Sequence, residues 1–223
     1  MRLGFYMSAQ LPLFRNVEHL QVLRPGVTFL PDFFISTTIW SVVQTVLEQA
    51  PLRHLITPNG QQMSVSMSNC GHYGWVSDKT GYRYSELDPL SGKAWPQLPA
   101  VLHTLAQQAA QQGGFEHFNP NACLINCYHP GARMGLHQDK DEADALSEHA
   151  QPIVSLSLGL PAKFLLGGIT RSDKTQSLLL QDGDALVFGG PARLMFHGVR
   201  PLTAATHALL GEQRINLTFR RAR

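Results

Sequence analysis

The sequence predicts an α+β fold whose core is a β-sandwich or barrel of the jelly-roll type, with two helices packed outside it. Short alternating apolar runs separated by turn residues recur through the second half of the 223-residue chain, and two amphipathic helical segments precede that half. Many short strands with turn signals are typical of sandwiches and barrels. Hydrophobic residues make up 43% of the chain and charged residues 15%, so there is enough apolar surface for one compact core.

The two helices are predicted at residues 36–50 and 98–112. The first segment places branched apolar residues at helical spacing after Ser36 and Thr37, which are its candidate N-caps. The second segment has Pro99 near its start, one apolar face and a Gly-Gly pair as its end. Both helices therefore have an apolar side for a sheet to cover.

The strands are predicted from apolar residues at alternate positions, with turns such as Gln181–Asp184 between them. The segments with this pattern are 124–128, 154–158, 178–180, 185–188 and 215–219.

The chain is expected to form a single domain over residues 1–223, in which three parts are distinguished. Residues 1–56 are predicted to be an N-terminal helical extension and residues 115–223 the jelly-roll core. Residues 57–95 mix turn residues with aromatic residues and keep no period, which indicates a loop or hairpin lid for substrate binding.

Charge and cysteine content indicate the setting of the protein. The net charge of +2 gives no global field toward nucleic acid or membranes, and no apolar run approaches the roughly 20 residues of a membrane span. The cysteines are Cys70, Cys123 and Cys127, of which the last two are four apart on one predicted strand, too far to bridge. Reduced thiols fit the cytoplasm, where we expect a monomer without a membrane partner.

A candidate metal site comes from His137 and Asp139, followed much later by His197. Side chains two apart on an extended segment point the same way, so the first two can reach one ion while His197 arrives from another strand. Two histidines and one carboxylate on one face of a metal suit non-haem Fe(II). By itself the pattern leaves surface or capping roles open for these residues.

The last predicted strand has one apolar face and one polar, cationic face. Its polar face carries Arg214, Asn216, Thr218 and Arg220. If this face points into a barrel, two buried guanidinium groups are costly unless an anion pairs with them, so the pattern predicts a carboxylate ligand. Asn126 and Tyr128 share one face of another strand and could donate to the same anion. The alternative is a solvated basic edge.

Several strings of the chain occur in an order and spacing that resemble one family. They are Asn69-Cys70-Gly71-His72, Asn126-Cys127-Tyr128, His137-Gln138-Asp139-Lys140-Asp141, Ser155–Pro161, His197 and Arg214–Arg220. Together they resemble the AlkB family of alkylated-nucleic-acid dioxygenases, from about Thr57 to Arg220. Two departures are a longer segment at 142–151 and Cys127, where relatives carry Arg.

The resemblance implies a double-stranded β-helix enzyme that uses Fe(II), 2-oxoglutarate and O2. It would couple decarboxylation of 2-oxoglutarate to hydroxylation of an N-alkyl group, which then leaves as formaldehyde. The implied metal ligands are His137, Asp139 and His197. The implied 2-oxoglutarate contacts are Asn126, Tyr128, Arg214, Asn216 and Arg220.

The resemblance also implies a substrate, alkylated DNA that is single-stranded or has its damaged base flipped out, with RNA as a further candidate. Trp75 would stack on the base, with Tyr82 near a phosphate or sugar, and Asp141 would accept from the exocyclic amine. Arg171, Met67 and Thr57 match family positions on the substrate side. Without the resemblance, Trp75 and Tyr82 could form a small hydrophobic cluster, and Asp141 could belong to a solvated acidic loop with Glu142.

Two other functions stay open at this point. One is an Fe(II)/2-oxoglutarate hydroxylase of a protein or small molecule, which would keep the core and change the lid. The other is a non-catalytic β-barrel that binds nucleic acid through the phosphate contacts of its basic last strand.

Overall fold

A computed structural model of the chain describes residues 19–147 and 149–223. Within them lie the helices α1 (Ser36–Gln49) and α2 (Ala100–Gln112) and a short 3₁₀ helix, Gly190–Ala192. The strands, in chain order, are β1 (Gln21–Arg24), β2 (Val27–Leu30), β3 (Arg53–Ile56), β4 (Gln62–Gly71), β5 (Gly74–Asp78), β6 (Gly81–Ser85), β7 (Ala122–Tyr128), β8 (Met134–His137), β9 (Ile153–Gly159), β10 (Ala162–Leu166), β11 (Gln176–Leu180), β12 (Ala185–Phe188), β13 (His197–Val199) and β14 (Arg214–Arg220).

Two antiparallel sheets line a central cavity, which confirms the predicted jelly-roll core. The main sheet has the strand order β1-β2-β12-β9-β14-β7-β4-β3, and the minor sheet has the order β11-β10-β13-β8. Strands β5 and β6 form a separate hairpin. The strands expected in the second half of the chain are all present, including β12 with its predicted bounds.

The main sheet packs its outer face against both helices. Ile125, Leu156 and Leu217 come from three neighbouring strands and form one fully buried cluster with Ile39 of α1 and Leu105 of α2. Side chains of opposite parity on the same strands point to the other side of the sheet, toward the cavity. The alternation therefore decides which residues form the core and which form the site.

Helix α1 begins as the sequence predicts, but its predicted caps are wrong. The N-cap is Ile35, without a side-chain hydrogen bond, and Ser36 lies inside the first turn. The hydroxyl of Ser36 donates to the Asp182 carboxylate at 2.7 Å instead, because α1 starts against the turn between β11 and β12. Helix α2 ends at the predicted Gly-Gly pair, where Gly114 has a φ of +84°.

The first 95 residues contain more strand than the sequence predicts. Strands β1 and β2 extend one edge of the main sheet, and β3 and β4 form the other, so residues 19–56 are not a purely helical extension. Strand β4 is buried on both faces from Val65 to Gly71, and its polar residues Ser68 and Asn69 bond to backbone groups. Met63, Val65 and Met67 alternate with serines, so the sequence does carry a strand pattern here, which the prediction of a lid over residues 57–95 missed. Residues 1–18 of the predicted extension lie outside the described part of the chain.

The cysteines are free and buried, as predicted for reduced thiols. Over residues 19–147 and 149–223, no helix has the length and apolarity needed to cross a membrane.

We expect Leu217→Ala to lower the free energy of unfolding by about 2–5 kcal/mol, because it opens a cavity between the main sheet and the helices. Urea denaturation followed by circular dichroism measures this. Leu179→Ala on β11, where the side chain is half exposed, is the matched control and should stay within about 0.5 kcal/mol of the native protein. Equal losses in the two variants would contradict this assignment of the core.

Candidate active site

Three side chains from two strands and a loop meet at the β8 edge of the minor sheet, where β8 pairs with β13. His137 ends β8 and His197 begins β13, directly opposite each other, with ring centroids 4.4 Å apart. Asp139 follows two residues after β8, and its Oδ1 and Oδ2 lie 3.6 Å and 3.7 Å from the Nε2 atoms of His137 and His197. One ligand atom from each side chain lies within 4.8 Å of the others, so the three could hold one metal ion.

Hydrogen bonds to the backbone set which ring nitrogen faces Asp139. The Nδ1 of His137 lies 2.8 Å from the carbonyl oxygen of Gly135, and the Nδ1 of His197 lies 3.0 Å from that of Met195. Carbonyls only accept, so Nδ1 carries the proton and the Nε2 lone pair points inward. Burial, helped by His137, lowers the pKa of His197 to about 4, which keeps that ring neutral. Two imidazoles that direct their Nε2 atoms inward and one carboxylate fit Fe(II).

The Asp139 carboxylate is held ionised by Arg220. Burial alone raises the pKa of this carboxyl, but the charge of Arg220, followed by the two histidines, brings it below its usual value. The Nε and Nη2 atoms of Arg220 donate to Asp139 Oδ2 at 3.0 Å and 2.5 Å. Arg193 donates to the backbone oxygen of Asp139 at 2.6 Å, so hydrogen bonds hold both the carboxylate and the backbone carbonyl of this residue.

Arg214 has a different environment, because no carboxylate within residues 19–147 and 149–223 forms a hydrogen bond or an ion pair with it, although the charges of Asp184 and Asp182 act on it from farther away. It is 2% exposed, and it donates to the Ser157 hydroxyl at 2.7 Å and to the Leu160 carbonyl at 3.2 Å, while its Nε has no partner. The arginines that form ion pairs with carboxylates among the described residues include Arg53, Arg83, Arg193 and Arg220. Burial lowers the pKa of Arg214 to about 10. A carboxylate from a ligand fits this orphaned guanidinium.

Polar groups on β7 and β14 surround Arg214. Tyr128 lies opposite Arg214 in the ladder, and burial raises the pKa of its phenol to about 12, so it stays a neutral donor. Asn126 lies opposite Asn216, and its Oδ1 is buried without a partner. The inner end of the cavity thus has spare polar groups for a dicarboxylic acid.

One cavity of about 430 Å³ contains most of the residues that the sequence predicts for the site. Its lining includes His137, Asp139, His197, Asn126, Tyr128, Arg214, Asn216, Arg220, Trp75, Tyr82, Asp141, Arg171 and Met67. Thr57 is not part of the lining. Its hydroxyl accepts from the Gln61 amide at 3.1 Å in the turn between β3 and β4.

An aromatic pair forms the mouth of this cavity. The rings of Trp75 and Tyr82 are stacked, with centroids 5.5 Å apart and an angle of 15° between planes. The Trp75 indole N–H donates to Asp141 Oδ2 at 2.8 Å. Asp141, which the resemblance assigns to a base amine, therefore already holds Trp75 through one of its oxygens.

Three placements differ from the sequence interpretation or go beyond it. Arg220 contacts Asp139 and also lines the cavity, so its contact with 2-oxoglutarate stays a prediction, and Glu142 is buried rather than part of a solvated acidic loop. Phe164 stacks against His197, with ring centroids 5.7 Å apart. The serines of β9 alternate with apolar residues and could have been found from that pattern, whereas Phe164 had no local signal.

The fold and the site together define an oxygenase of the 2-oxoglutarate and iron type. The profile of the 2OG-Fe(II) oxygenase superfamily matches residues 26–220, and this class uses Fe(II), 2-oxoglutarate and O2. The chain is 46% identical over 215 residues to the alpha-ketoglutarate-dependent dioxygenase AlkB of Escherichia coli (strain K12), which covers 95% of this chain and 98% of the relative. The chain therefore belongs to the AlkB family of Fe(II)/2-oxoglutarate-dependent dioxygenases.

Two further comparisons agree with this assignment. The chain is 31% identical over 227 residues to the DNA N(6)-methyladenine demethylase ALKBH1D of Arabidopsis thaliana, over 90% of this chain and 50% of the relative. The solved structure of OsALKBH1 matches with a TM-score of 0.79 and 31% identity, over 91% of this chain and 100% of that one.

Arg214→Met should weaken 2-oxoglutarate binding by roughly 10-fold or more, because a hydrogen-bonded charge contributes about 1.5–3 kcal/mol. Anaerobic calorimetry with Mn(II) in place of Fe(II) measures the affinity. Arg221→Met removes an exposed guanidinium from the same end of the chain and should leave the affinity unchanged. Native affinity in Arg214→Met would show that the orphaned guanidinium is not the carboxylate site.

Proposed function

We propose that the protein repairs DNA by oxidative demethylation of N-alkylated bases such as 1-methyladenine and 3-methylcytosine, and that it also accepts such bases in RNA. The observation that carries the proposal is a single cavity in which the triad of His137, Asp139 and His197 faces the stacked pair of Trp75 and Tyr82. The relative named as a DNA N(6)-methyladenine demethylase supports a nucleic-acid substrate.

The proposed roles at the inner end of the cavity follow from the donor atoms. The triad holds Fe(II), and Arg214 and Tyr128 bind the far carboxylate of 2-oxoglutarate. Asn126, Asn216 and Arg220 complete that pocket. When bound, Fe(II), 2-oxoglutarate and O2 supply the oxidation of an alkyl C–H bond, with CO2, succinate and formaldehyde as products.

The mouth of the cavity selects the base. A base inside a stacked duplex cannot reach the metal, so it has to be flipped out or supplied in a single strand. Methylated adenine and cytosine carry a positive charge, and stacking on Trp75 then gains roughly 0.5–2 kcal/mol from cation–π attraction. Asp141 keeps the indole in place and adds negative charge beside the cationic base. Arg171 and Met67 line the same space.

The other functions are not favoured. A surface binder would need the basic face of the last strand in solvent, but Arg214 and Arg220 are 2% and 6% exposed and line the cavity. A hydroxylase of a protein or small molecule would not need the aromatic pair that flanks the metal site. That pair is what flat, cationic bases require.

The cellular compartment, the oligomeric state and the division of the chain into lid and core belong to the same proposal. We propose a cytoplasmic monomer, which the free thiols support. We also propose that segment 57–95, through the β5–β6 hairpin, is the nucleotide-recognition lid, and that residues 115–223 carry the chemistry.

The native protein should release formaldehyde from an oligonucleotide that contains 1-methyladenine, and Trp75→Ala should lose at least about 90% of this release, since stacking contributes roughly 1–3 kcal/mol per base. The turnover of 2-oxoglutarate by Trp75→Ala without nucleic acid should persist, because the Trp75 indole N–H bonds to Asp141 and not to a residue of the triad. Formaldehyde and succinate are measured in the same reaction.

Two further variants complete that experiment. Trp75→Phe keeps a stacking ring and should recover part of the release, whereas His137→Ala should abolish both products. If the native protein forms succinate but no formaldehyde with every methylated oligonucleotide, the repair function is wrong and the small-molecule or protein hydroxylase is correct.

A further inference from the structure

Glu142 is a buried carboxylate that the proposed chemistry does not use. It is 7% exposed and lies in the loop that follows the triad aspartate. A carboxylate in such a position is costly unless several donors satisfy it, so its partners indicate what it is there for.

The partners of Glu142 come from three separate elements. The hydroxyl of Tyr84 on β6 donates to its Oε1 at 2.7 Å, and Arg193 beside the 3₁₀ helix donates to its Oε2 at 2.8 Å. The Nε of Arg220 on β14 lies 3.3 Å from its Oε1. One side chain thus joins the β5–β6 hairpin, the segment before His197 and the last strand.

The charges of this network balance with Glu142 present. Arg193 and Arg220 are the cations, and Asp139 and Glu142 are the anions. Without Glu142, Arg193 would lose its carboxylate partner and Arg220 would pair with Asp139 alone. Arg220 would then compete more strongly with a metal ion for Oδ2 of Asp139, to which it already bonds.

Tyr84 gives the network its connection to the hairpin that carries Trp75. Burial, together with the nearby carboxylates, raises the pKa of its phenol well above the usual value, so the group remains a donor. Tyr84 lies opposite Trp75 in the hairpin. The Trp75 indole is therefore connected to the Asp139 carboxylate through the β5–β6 pairing, the Tyr84 hydroxyl, the Glu142 carboxylate and the Arg220 guanidinium.

We propose that Glu142 is a positioning residue that shares Arg220 with Asp139, and that the Tyr84 hydroxyl couples the β5–β6 hairpin to the metal-binding carboxylate. This inference rests on the proposed metal site. It adds that binding of a base on Trp75 alters the position of the Asp139 carboxylate through Tyr84, Glu142 and Arg220.

Tyr84→Phe tests the coupling, because it removes one hydroxyl and keeps the ring in its apolar surroundings of Ala122 and Ala222. Tyr73→Phe is the matched control, since Tyr73 packs on the same cluster, whereas the hydroxyl that donates to Glu142 is that of Tyr84. Both are made in the full chain loaded with Mn(II), without nucleic acid. Amide exchange of residues 74–85 and the dissociation constant for Mn(II) are measured.

We expect Tyr84→Phe to speed exchange across the hairpin about tenfold and to weaken Mn(II) binding several-fold, as for the loss of a group that orients a metal ligand. Tyr73→Phe should change neither. Glu142→Gln should weaken Mn(II) binding by roughly 10–100-fold. If Glu142→Gln does not fold, the two tyrosine variants decide the question, and equal exchange and equal Mn(II) affinity in them would overturn the inference.

A turnover measurement separates this inference from the proposed function. With a methylated oligonucleotide, Tyr84→Phe should form more succinate per formaldehyde than the native protein, while Tyr73→Phe keeps the native ratio. An unchanged ratio in Tyr84→Phe overturns the coupling. If the native protein releases no formaldehyde, the repair function fails, but exchange and Mn(II) affinity still decide whether Tyr84 and Glu142 position Asp139.

Discussion

Two guanidinium groups on the inner face of β14 are the charges around which the cavity is arranged. The charge of Arg220 is neutralised by two carboxylates of the chain itself, Asp139 and Glu142. This pairing keeps the aspartate ionised beside the two histidines. Among the described residues, Arg214 donates to a hydroxyl and a carbonyl. The chain therefore pairs one buried cation with its own carboxylates, and the proposed ligand pairs with the other, so that the proposed metal and anion sites share one cavity.

The alternation of side chains along the strands is what allows a polar cavity inside an apolar fold. In β14 and its neighbours, one set of residues packs on the helices while the other set faces the cavity. Because a slip of one residue would exchange the two sets, the register of β14 with β7 and β9 is a condition for the site. Core packing thus fixes the position of Arg214 and Asn216.

Local patterns in the sequence predicted the parts of this protein that depend on local geometry. Parity identified the inner face of β14, and the spacing of His137 and Asp139 identified the triad, because both follow from extended backbone. The partner of Arg220 and the burial of Glu142 depend on contacts between distant segments, which no local pattern contains. Strand β4 was missed although Met63, Val65 and Met67 alternate with serines, because its segment was interpreted as a lid. Thr57 was placed in the cavity because it matches a family position, although Pro58-Asn59-Gly60 directly after it indicates a turn.

With the proposed carboxylate site at Arg214, the lifetime of the folded chain follows the supply of the co-substrate. A ligand that binds only the folded state adds stability by mass action, about 2.7 kcal/mol at a concentration roughly a hundredfold above its Kd. The co-substrate then acts as a component of the interior as well as a reagent. On the proposed binding mode, a shortage of that dicarboxylic acid would raise the unfolded fraction and its exposure to proteolysis, so the abundance of the chain would fall together with its activity.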